Sequence, residues 1–356
     1  TEAASKPTTF FIDDREVDIR PGETIFRAAR RLDIKLPHLC YSPKPGYRPD
    51  GNCRVCMVEV EGERVLAASC IRTPTPGMKV KTETERATTA RRMVAELLMT
   101  DQPDQAHAHD PDSELWKIAK RQKIGPGRFP KREPIKVPAP DRSHVAMAVN
   151  LDACIHCNLC VRACREVQVN DVIGMAGRGH LEQIVFDFND PMGVSTCVAC
   201  GECVQACPTG ALMPATLVDE ANIYTGKPDR EVDSVCPYCG VGCQLTYQIK
   251  GEKIVAVTGR NGPANENRLC VKGRFGFDYV HNKQRLLKPM IRKDGVPKVP
   301  HEIIDPSNPW THFREATWEE ALDRAAGGLK TIRDRDGPKA LAGFGSAKGS
   351  NEEAYL

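Results

Sequence analysis

An α+β chain of several small domains, rather than one large core, is the fold this sequence predicts. Three observations carry that prediction. The chain has 356 residues, more than one ordinary core organises. Its sixteen cysteines fall into four sets of four along the chain, with none left over. Residues 145 to 217 contain an internal repeat, each half a strand-like run, a shared cysteine spacing and a helix start.

Composition narrows the setting. Lys and Arg total 50 against 47 for Asp and Glu, a formal charge of +3 that counts every cysteine as neutral. Metal-bound thiols lose their protons, so the assembled protein should be more acidic. Nothing here argues for a nucleic-acid partner. No stretch approaches the roughly 18 continuous apolar residues of a membrane helix. Thr1 to Thr9 lacks the apolar run of a secretory signal, and Arg30-Arg31 falls within an expected amphipathic helix rather than an export motif. The expectation is a cytoplasmic protein without a membrane span.

Residues 8–82 predict a small mixed domain. Thr9 to Ile12 and Glu16 to Ile19 are short strands around an Asp13-Asp14-Arg15 turn. Pro21-Gly22-Glu23-Thr24 opens a helix whose apolar face is Ile25, Ala28, Ala29 and Leu32, and Pro37 stops it. Val55 to Val60 and Val65 to Ala68 form a hairpin, and Met78 to Lys81 a last strand. This is the element order of a β-grasp ferredoxin. Its cysteines, Cys40, Cys53, Cys56 and Cys70, are spaced C-x12-C-x2-C-x13-C. The plant-type spacing is C-x4-C-x2-C, so this is another branch. The segment resembles the N-terminal [2Fe–2S] domain of the large iron–sulfur subunit of respiratory NADH dehydrogenase and of related hydrogenases.

Residues 83–144 predict a helix, then a connector without a cluster. The helix runs from Glu83 to Thr100, with Ala87, Ala90, Val94, Leu97 and Leu98 along one side. From Lys117 to Arg142 a basic run is interleaved with Pro126, Pro130, Pro134, Pro138 and Pro140, the composition of an extended surface linker. The resembling families carry His-x3-Cys-x2-Cys-x5-Cys here for an additional cluster. This chain has His107 and His109 but no cysteine between Cys70 and Cys154. The two histidines are expected on a polar loop, with no metal in residues 101 to 150.

Residues 145–231 hold the repeat. Cys154, Cys157, Cys160 and Cys164, then Cys197, Cys200, Cys203 and Cys207, are both C-x2-C-x2-C-x3-C. Disulfides would require an oxidising compartment. Zinc commonly uses two C-x2-C pairs per metal. Three or four cysteines in close succession suit a cuboidal cluster instead. The second run ends in Cys207-Pro208, as in bacterial two-cluster ferredoxins. In such folds the fourth cysteine of each run serves the other cluster. That resemblance implies one [4Fe–4S] centre on Cys154, Cys157, Cys160 and Cys207, and another on Cys197, Cys200, Cys203 and Cys164. His156, between two ligands, is expected to be a neighbour of the centre or a solvent residue.

Residues 232–290 begin another domain. Cys236, Cys239, Cys243 and Cys270, spaced C-x2-C-x3-C-x26-C, bracket two strands, Leu245 to Lys250 and Lys253 to Val257. With Asn267 to Arg274 they resemble the N-terminal cluster domain of molybdenum and tungsten enzymes carrying a bis-pterin guanine dinucleotide, above all formate dehydrogenases and periplasmic nitrate reductases. The resemblance implies that Lys272 bridges a third [4Fe–4S] cluster and the pterin. Residues 291–356 are expected to start the α/β domain that binds the pterin dinucleotide. Thr317-Trp318-Glu319-Glu320 caps a helix to about Asp334, and Lys339 to Phe344 reads as a strand. Gly345, Ser346, Gly349 and Asn351 lie in the following glycine-rich turn and helix start, a pattern suited to a phosphate.

The order of these segments resembles the alpha subunit of soluble NAD-dependent formate dehydrogenases. The implied function is the electron-transfer half of that subunit, with one [2Fe–2S] and three [4Fe–4S] clusters. In that family, formate is oxidised to carbon dioxide at a molybdenum or tungsten bis-pterin centre. From the order of the cysteine sets, electrons are expected to enter near Cys270 and Lys272 and to leave near Cys40 toward a flavin- and iron–sulfur-containing, NAD-reducing partner subunit. No catalytic residue is expected in this segment, because no residue matches the metal-ligating cysteine or selenocysteine of that family. Residues 1–356 alone are therefore expected not to oxidise formate. The alternatives are the large iron–sulfur subunit of an NADH dehydrogenase or NAD-linked hydrogenase, and a stand-alone multicluster carrier.

Overall fold

The computed structural model describes residues 8–125, 128–130, 138–346, 349 and 355. Alternation builds the first sheet. Phe10 and Ile12 of β1 (Thr9–Ile12) point inward, and Val17 of β2 (Arg15–Asp18) joins them. Helix α1 (Ile25–Arg31) starts at Thr24, whose Oγ1 accepts from the Arg27 amide at 3.5 Å, and buries Ile25, Phe26, Ala28 and Ala29. Strands β3 (Met57–Val60), β4 (Ala67–Ala68) and β5 (Lys79–Lys81) complete a sheet of order β2-β1-β5-β3-β4. Strands β1 and β5 run parallel, and the other pairs antiparallel. These are the expected elements, each within two residues of its expected bounds at most ends.

Two expectations about the next segment are corrected. Helix α2 (Glu85–Met99) forms, but its buried face is Ala87, Arg91, Ala95 and Glu96, while Leu97 is exposed. The expected surface connector contains a core helix, α3 (Glu114–Arg121), capped by Ser113. Leu115 and Ile118 are fully buried against Leu39, Val55 and Ala95, with Val94 and Leu98 beside them. Arg128 then ties back to α2, its Nη2 2.7 Å from Glu96 Oε2.

The repeat folds as a strand, a cysteine run and a helix, twice. Strand β6 (Met147–Val149) precedes α4 (Leu159–Arg162), which continues into a wider π-turn at Ala163–Val167. The hairpin β7 (Ile173–Ala176) with β8 (Gln183–Phe186) follows. Then come α5 (Glu202–Ala206) and β9 (Leu212–Pro214), which pairs antiparallel with β6. Met147, Val161, Ile173, Ile184, Phe186, Met192 and Leu212 form the core with Cys160, Cys164 and Cys203.

Strands β10 (Arg230–Val235), β11 (Gln244–Lys250) and β12 (Lys253–Gly259) make an antiparallel sheet in sequence order. Of these, β10 had no counterpart in the sequence expectation. Helix α6 (Val271–Phe275) follows. The chain divides into two compact units, residues 1–235 with 243–275, and residues 236–242 with 276–356. In the second, β13 (Met290–Arg292) pairs with β14 (Phe313–Glu315), and α7 (Trp318–Asp336) starts at Thr317, whose Oγ1 accepts from the Glu320 amide at 3.2 Å. The strand expected at Lys339 to Phe344 is absent. Pro338–Ala340 form a 3-10 turn, and 341–346 are irregular. An apolar run becomes a strand only beside another strand, and the described residues place none there.

Among the described residues no helix is long and apolar enough to cross a membrane.

Candidate functional site

The first cysteine set sits where the loop after α1 returns to the sheet. Cys40, Cys56 and Cys70 are buried, and Cys53 is half-buried. The Cys40 amide donates to Cys53 Sγ at 3.4 Å, and the Cys53 amide to Cys40 Sγ at 3.3 Å. Hydrogen bonds from Cys53 and Cys70 hold the Cys40 thiol far below its ordinary range, while Cys53 and Cys70 are pushed up, first by those same bonds.

In the repeat, backbone conformation repeats along with sequence. His156 (φ 52°) and Asn158 (φ 61°) are left-handed in the first run, and Ala199 (φ 56°) and Gly201 (φ 67°) occupy the matching places in the second. The kinks turn amides toward sulfur. The Ala199 amide donates to Cys197 Sγ at 3.4 Å; apart from the kinks, the Val172 amide, ahead of β7, donates to Cys164 Sγ at 3.3 Å. Cys154, Cys157 and Cys160 line one small cavity with Cys207, the grouping expected across the two runs. Cys203 lies in the field of Cys200, Cys197 and Cys164. Burial pushes the Cys154 thiol up to about 12 and raises Cys157, Cys160 and Cys203, the neighbouring sulfurs adding to it.

These surroundings fit an iron–sulfur cluster. Crowded, buried thiols resist ionisation unless a cation sits among them, and amides aimed at sulfur stabilise cluster charge. Among the described residues, no three His, Cys, Asp or Glu side chains are grouped around a single-ion position.

The fourth set is less enclosed. Cys236 is buried and Cys239 exposed in the second unit; Cys243 is half-buried and Cys270 exposed in the first. Lys272 stands exposed on α6, two residues beyond Cys270. In the expected phosphate turn, the Gly349 amide donates to the Ser346 carbonyl at 3.0 Å, Gly345 is exposed, and Asn351 lies outside the described residues.

Three buried side chains that the sequence did not single out join the cysteine segments of the first unit. Arg162, 2% exposed, donates through Nη2 to the carbonyls of Cys40 (2.5 Å) and Cys157 (3.3 Å), and its Nη1 to that of Arg48. Its Nε lies 3.2 Å from Asp50 Oδ2. Cys40, Tyr47, Cys157, Leu159 and Val167 pack together around this contact. Glu202, 1% exposed between Cys200 and Cys203, accepts from Tyr47 Oη at 2.8 Å and from Arg274 Nη2 at 3.1 Å. Arg274 Nε donates to the Cys200 carbonyl at 2.7 Å, and its Nη1 to Gln205 Oε1 at 2.8 Å. Burial lowers the Arg274 pKa, with Glu202 opposing. Gly201 is required here, since a Cβ would lie 2.2 Å from Arg274 Cδ. The sequence hints are slight: Glu202 lies between two cysteines, and Arg274 follows Cys270 by one helical turn.

His109 is corrected from a polar-loop residue to a buried one. Its ring nitrogens lie 2.7 Å from the Asn222 carbonyl and 2.9 Å from Asp152 Oδ2. Although burial disfavours the imidazolium, Asp152 and the Asn222 carbonyl outweigh it, and the pKa is raised. His107 stays exposed, and His156 is half-buried with Nδ1 4.0 Å from Glu182.

Three family models match in this order: the 2Fe-2S iron-sulfur cluster binding domain over residues 5–85, the 4Fe-4S dicluster domain over 153–211, and the molybdopterin oxidoreductase Fe4S4 domain over 229–282. The chain therefore carries these three iron–sulfur domains. It is 32% identical over 336 residues to a subunit of the NADH-quinone oxidoreductase of Rhizobium meliloti, covering 90% of this chain and 37% of that one. It is 30% identical over 354 residues to the alpha subunit of the NADPH-Fe(3+) oxidoreductase of Geobacter sulfurreducens, covering 97% and 38%. A Staphylococcus haemolyticus protein provisionally named a formate dehydrogenase is 26% identical over 398 residues, covering 97% and 37%. The chain thus spans 37 to 38% of the length of these curated relatives. Among solved structures, an NAD+-reducing [NiFe]-hydrogenase in the H2-reduced state matches at 27% identity and a TM-score of 0.55, covering 62% of this chain and 91% of that one.

Proposed function

We propose that this chain is the electron-relay half of a molybdenum- or tungsten-pterin formate dehydrogenase that passes electrons to an NAD-reducing, flavin-containing partner subunit. In this reading Cys40, Cys53, Cys56 and Cys70 hold a [2Fe–2S] cluster. Cys154, Cys157, Cys160 and Cys207 hold one [4Fe–4S] cluster, Cys197, Cys200, Cys203 and Cys164 a second, and Cys236, Cys239, Cys243 and Cys270 a third. When bound, the clusters supply one-electron carriers whose potentials follow burial, charge and hydrogen bonds to sulfur. The chain's own residues hold and space them. The observation that carries the reading is the continuity of cysteine segments within the first unit. Arg162 binds Cys40 and Cys157 through adjacent carbonyls, and Arg274 joins the helix after Cys270 to Cys200.

Lys272 would meet a pterin edge beside Cys270, and Gly345, Ser346, Gly349 and Asn351 would hold the dinucleotide phosphate. Formate as substrate is supported by the Cys236 motif, by the absence of cysteine between Cys70 and Cys154, and by the provisionally named relative. The test uses the native complex. Mass spectrometry should find a pterin guanine dinucleotide, metal analysis molybdenum or tungsten, and formate should reduce NAD. A complex with clusters but no pterin would defeat the proposal and favour the NADH-dehydrogenase or hydrogenase reading, which the first relative and the solved structure support.

A further inference from the structure

We propose that a basic cleft between α2 and α3 binds a phosphate ester the size of a mononucleotide. The cleft encloses about 330 Å³, lies in the first unit and has no cysteine in its lining. That volume is at the lower end of small-molecule sites. Four cationic side chains line it, Lys35, Arg91, Arg92 and Arg121, against one carboxylate, Glu83.

Arg91 is the decisive residue. It is 4% exposed, an uncommon place for a guanidinium on a helix. Its Nη2 lies 2.9 Å from Glu83 Oε1, but its Nη1 is buried without a hydrogen-bond partner. Gln122, across the cleft on the turn ending α3, likewise has a buried Oε1 without a partner. A buried donor left unsatisfied is costly, because it has given up water without gaining a partner. A water could serve these two atoms, but even with Arg91 paired to Glu83 and Arg121 to Glu114 (2.8 Å) the lining holds four cations against one carboxylate, an excess that a neutral water does not offset. An anion answers both problems.

The missing partners define the ligand's chemistry. Arg91 and its neighbours call for several acceptor oxygens on one anionic group, which a phosphate presents to arginine forks. Gln122 Oε1 calls for a donor beyond the phosphate, such as a sugar hydroxyl. Free phosphate meets the first demand, and a nucleoside monophosphate meets both. Pro37 lines the same cleft three residues before Cys40, so an occupant would sit beside the loop of the first cysteine set. The site does not depend on the electron-relay reading.

The experiment is calorimetric titration of the holoprotein at low ionic strength with two probes, inorganic phosphate and AMP. Both should bind at one site, AMP more tightly. The double variant Arg92→Gln/Arg121→Gln alters two exposed side chains and should weaken both probes at least about tenfold, with iron content unchanged. Gln122→Leu should abolish the preference for AMP while sparing phosphate. Absence of saturable binding up to about 5 mM, a range set by the weakest useful small-anion affinities, would overturn the proposal. So would unchanged affinity in the double variant. Equal affinity for the two probes would overturn the assignment to a phosphate ester.

Discussion

Glu202 and Arg274 are a buried ion pair lying directly against a cysteine run, 1% and 3% exposed. Such pairs contribute little net stability, yet losing one partner is costly. Their position gives them an electrostatic role. Replacing Glu202 by Gln removes a negative charge beside Cys200 and Cys203, so the potential of that cluster should rise, on the order of tens of millivolts. Redox titration followed by electron paramagnetic resonance reads this directly, and an unchanged potential would refute it. Gly201→Ala acts through geometry. The backbone there is left-handed and the new Cβ meets Arg274 at 2.2 Å. A cost of about 1–3 kcal/mol in thermal or denaturant unfolding is expected from the strain and displaced side chain. These residues were not legible in the sequence. Charged side chains default to the surface, and Tyr47 reaches Glu202 across 155 positions.

Elements fixed by local pattern were legible. Alternation gave β1 and β2, Thr24 and Thr317 marked the starts of α1 and α7, and the cysteine spacing marked the repeat. Where neighbours decide, local pattern fell short. Leu115, Ile118 and Ala119 have helical spacing, but the prolines downstream suggested a linker. Helix α2 turns Arg91 and Glu96 inward because their heads find a cleft and Arg128, not because they are apolar. The left-handed residues repeated in both runs lead to a prediction for the module. If the fourth cysteines cross over, Cys207→Ser should degrade the cluster of Cys154, Cys157 and Cys160 and leave the signal of the Cys197 run, and Cys164→Ser the reverse. Loss confined to each variant's own run would show that they do not cross.

For the molecule as a whole, the proposed current runs from the segment of Cys270 to that of Cys40. In the native complex, Cys40→Ser should stop NAD reduction while formate still reduces the cluster of the Cys236 set; failure of both in a folded protein would mean another route. Stability should also follow pH through His109. Its pKa is raised in the fold, so the contribution is complete below the unfolded value of about 6.5 and fades as pH climbs through the higher folded value. The melting-temperature gap between the native protein and His109→Gln should therefore be wider at about pH 6 than at about pH 8.5. Removing the Arg162 guanidinium by substitution with Ala should cost about 3 kcal/mol or more, since Asp50 and the Cys40, Arg48 and Cys157 carbonyls lose their donor together. That guanidinium also imposes a sequence on biogenesis. The N-terminal cysteine loop is fastened by a side chain that emerges from the ribosome more than a hundred residues later. Its sheet can close early, but the loop gains this fastening only once α4 is in place, so the first cysteine set should settle no earlier than the helix that follows Cys157.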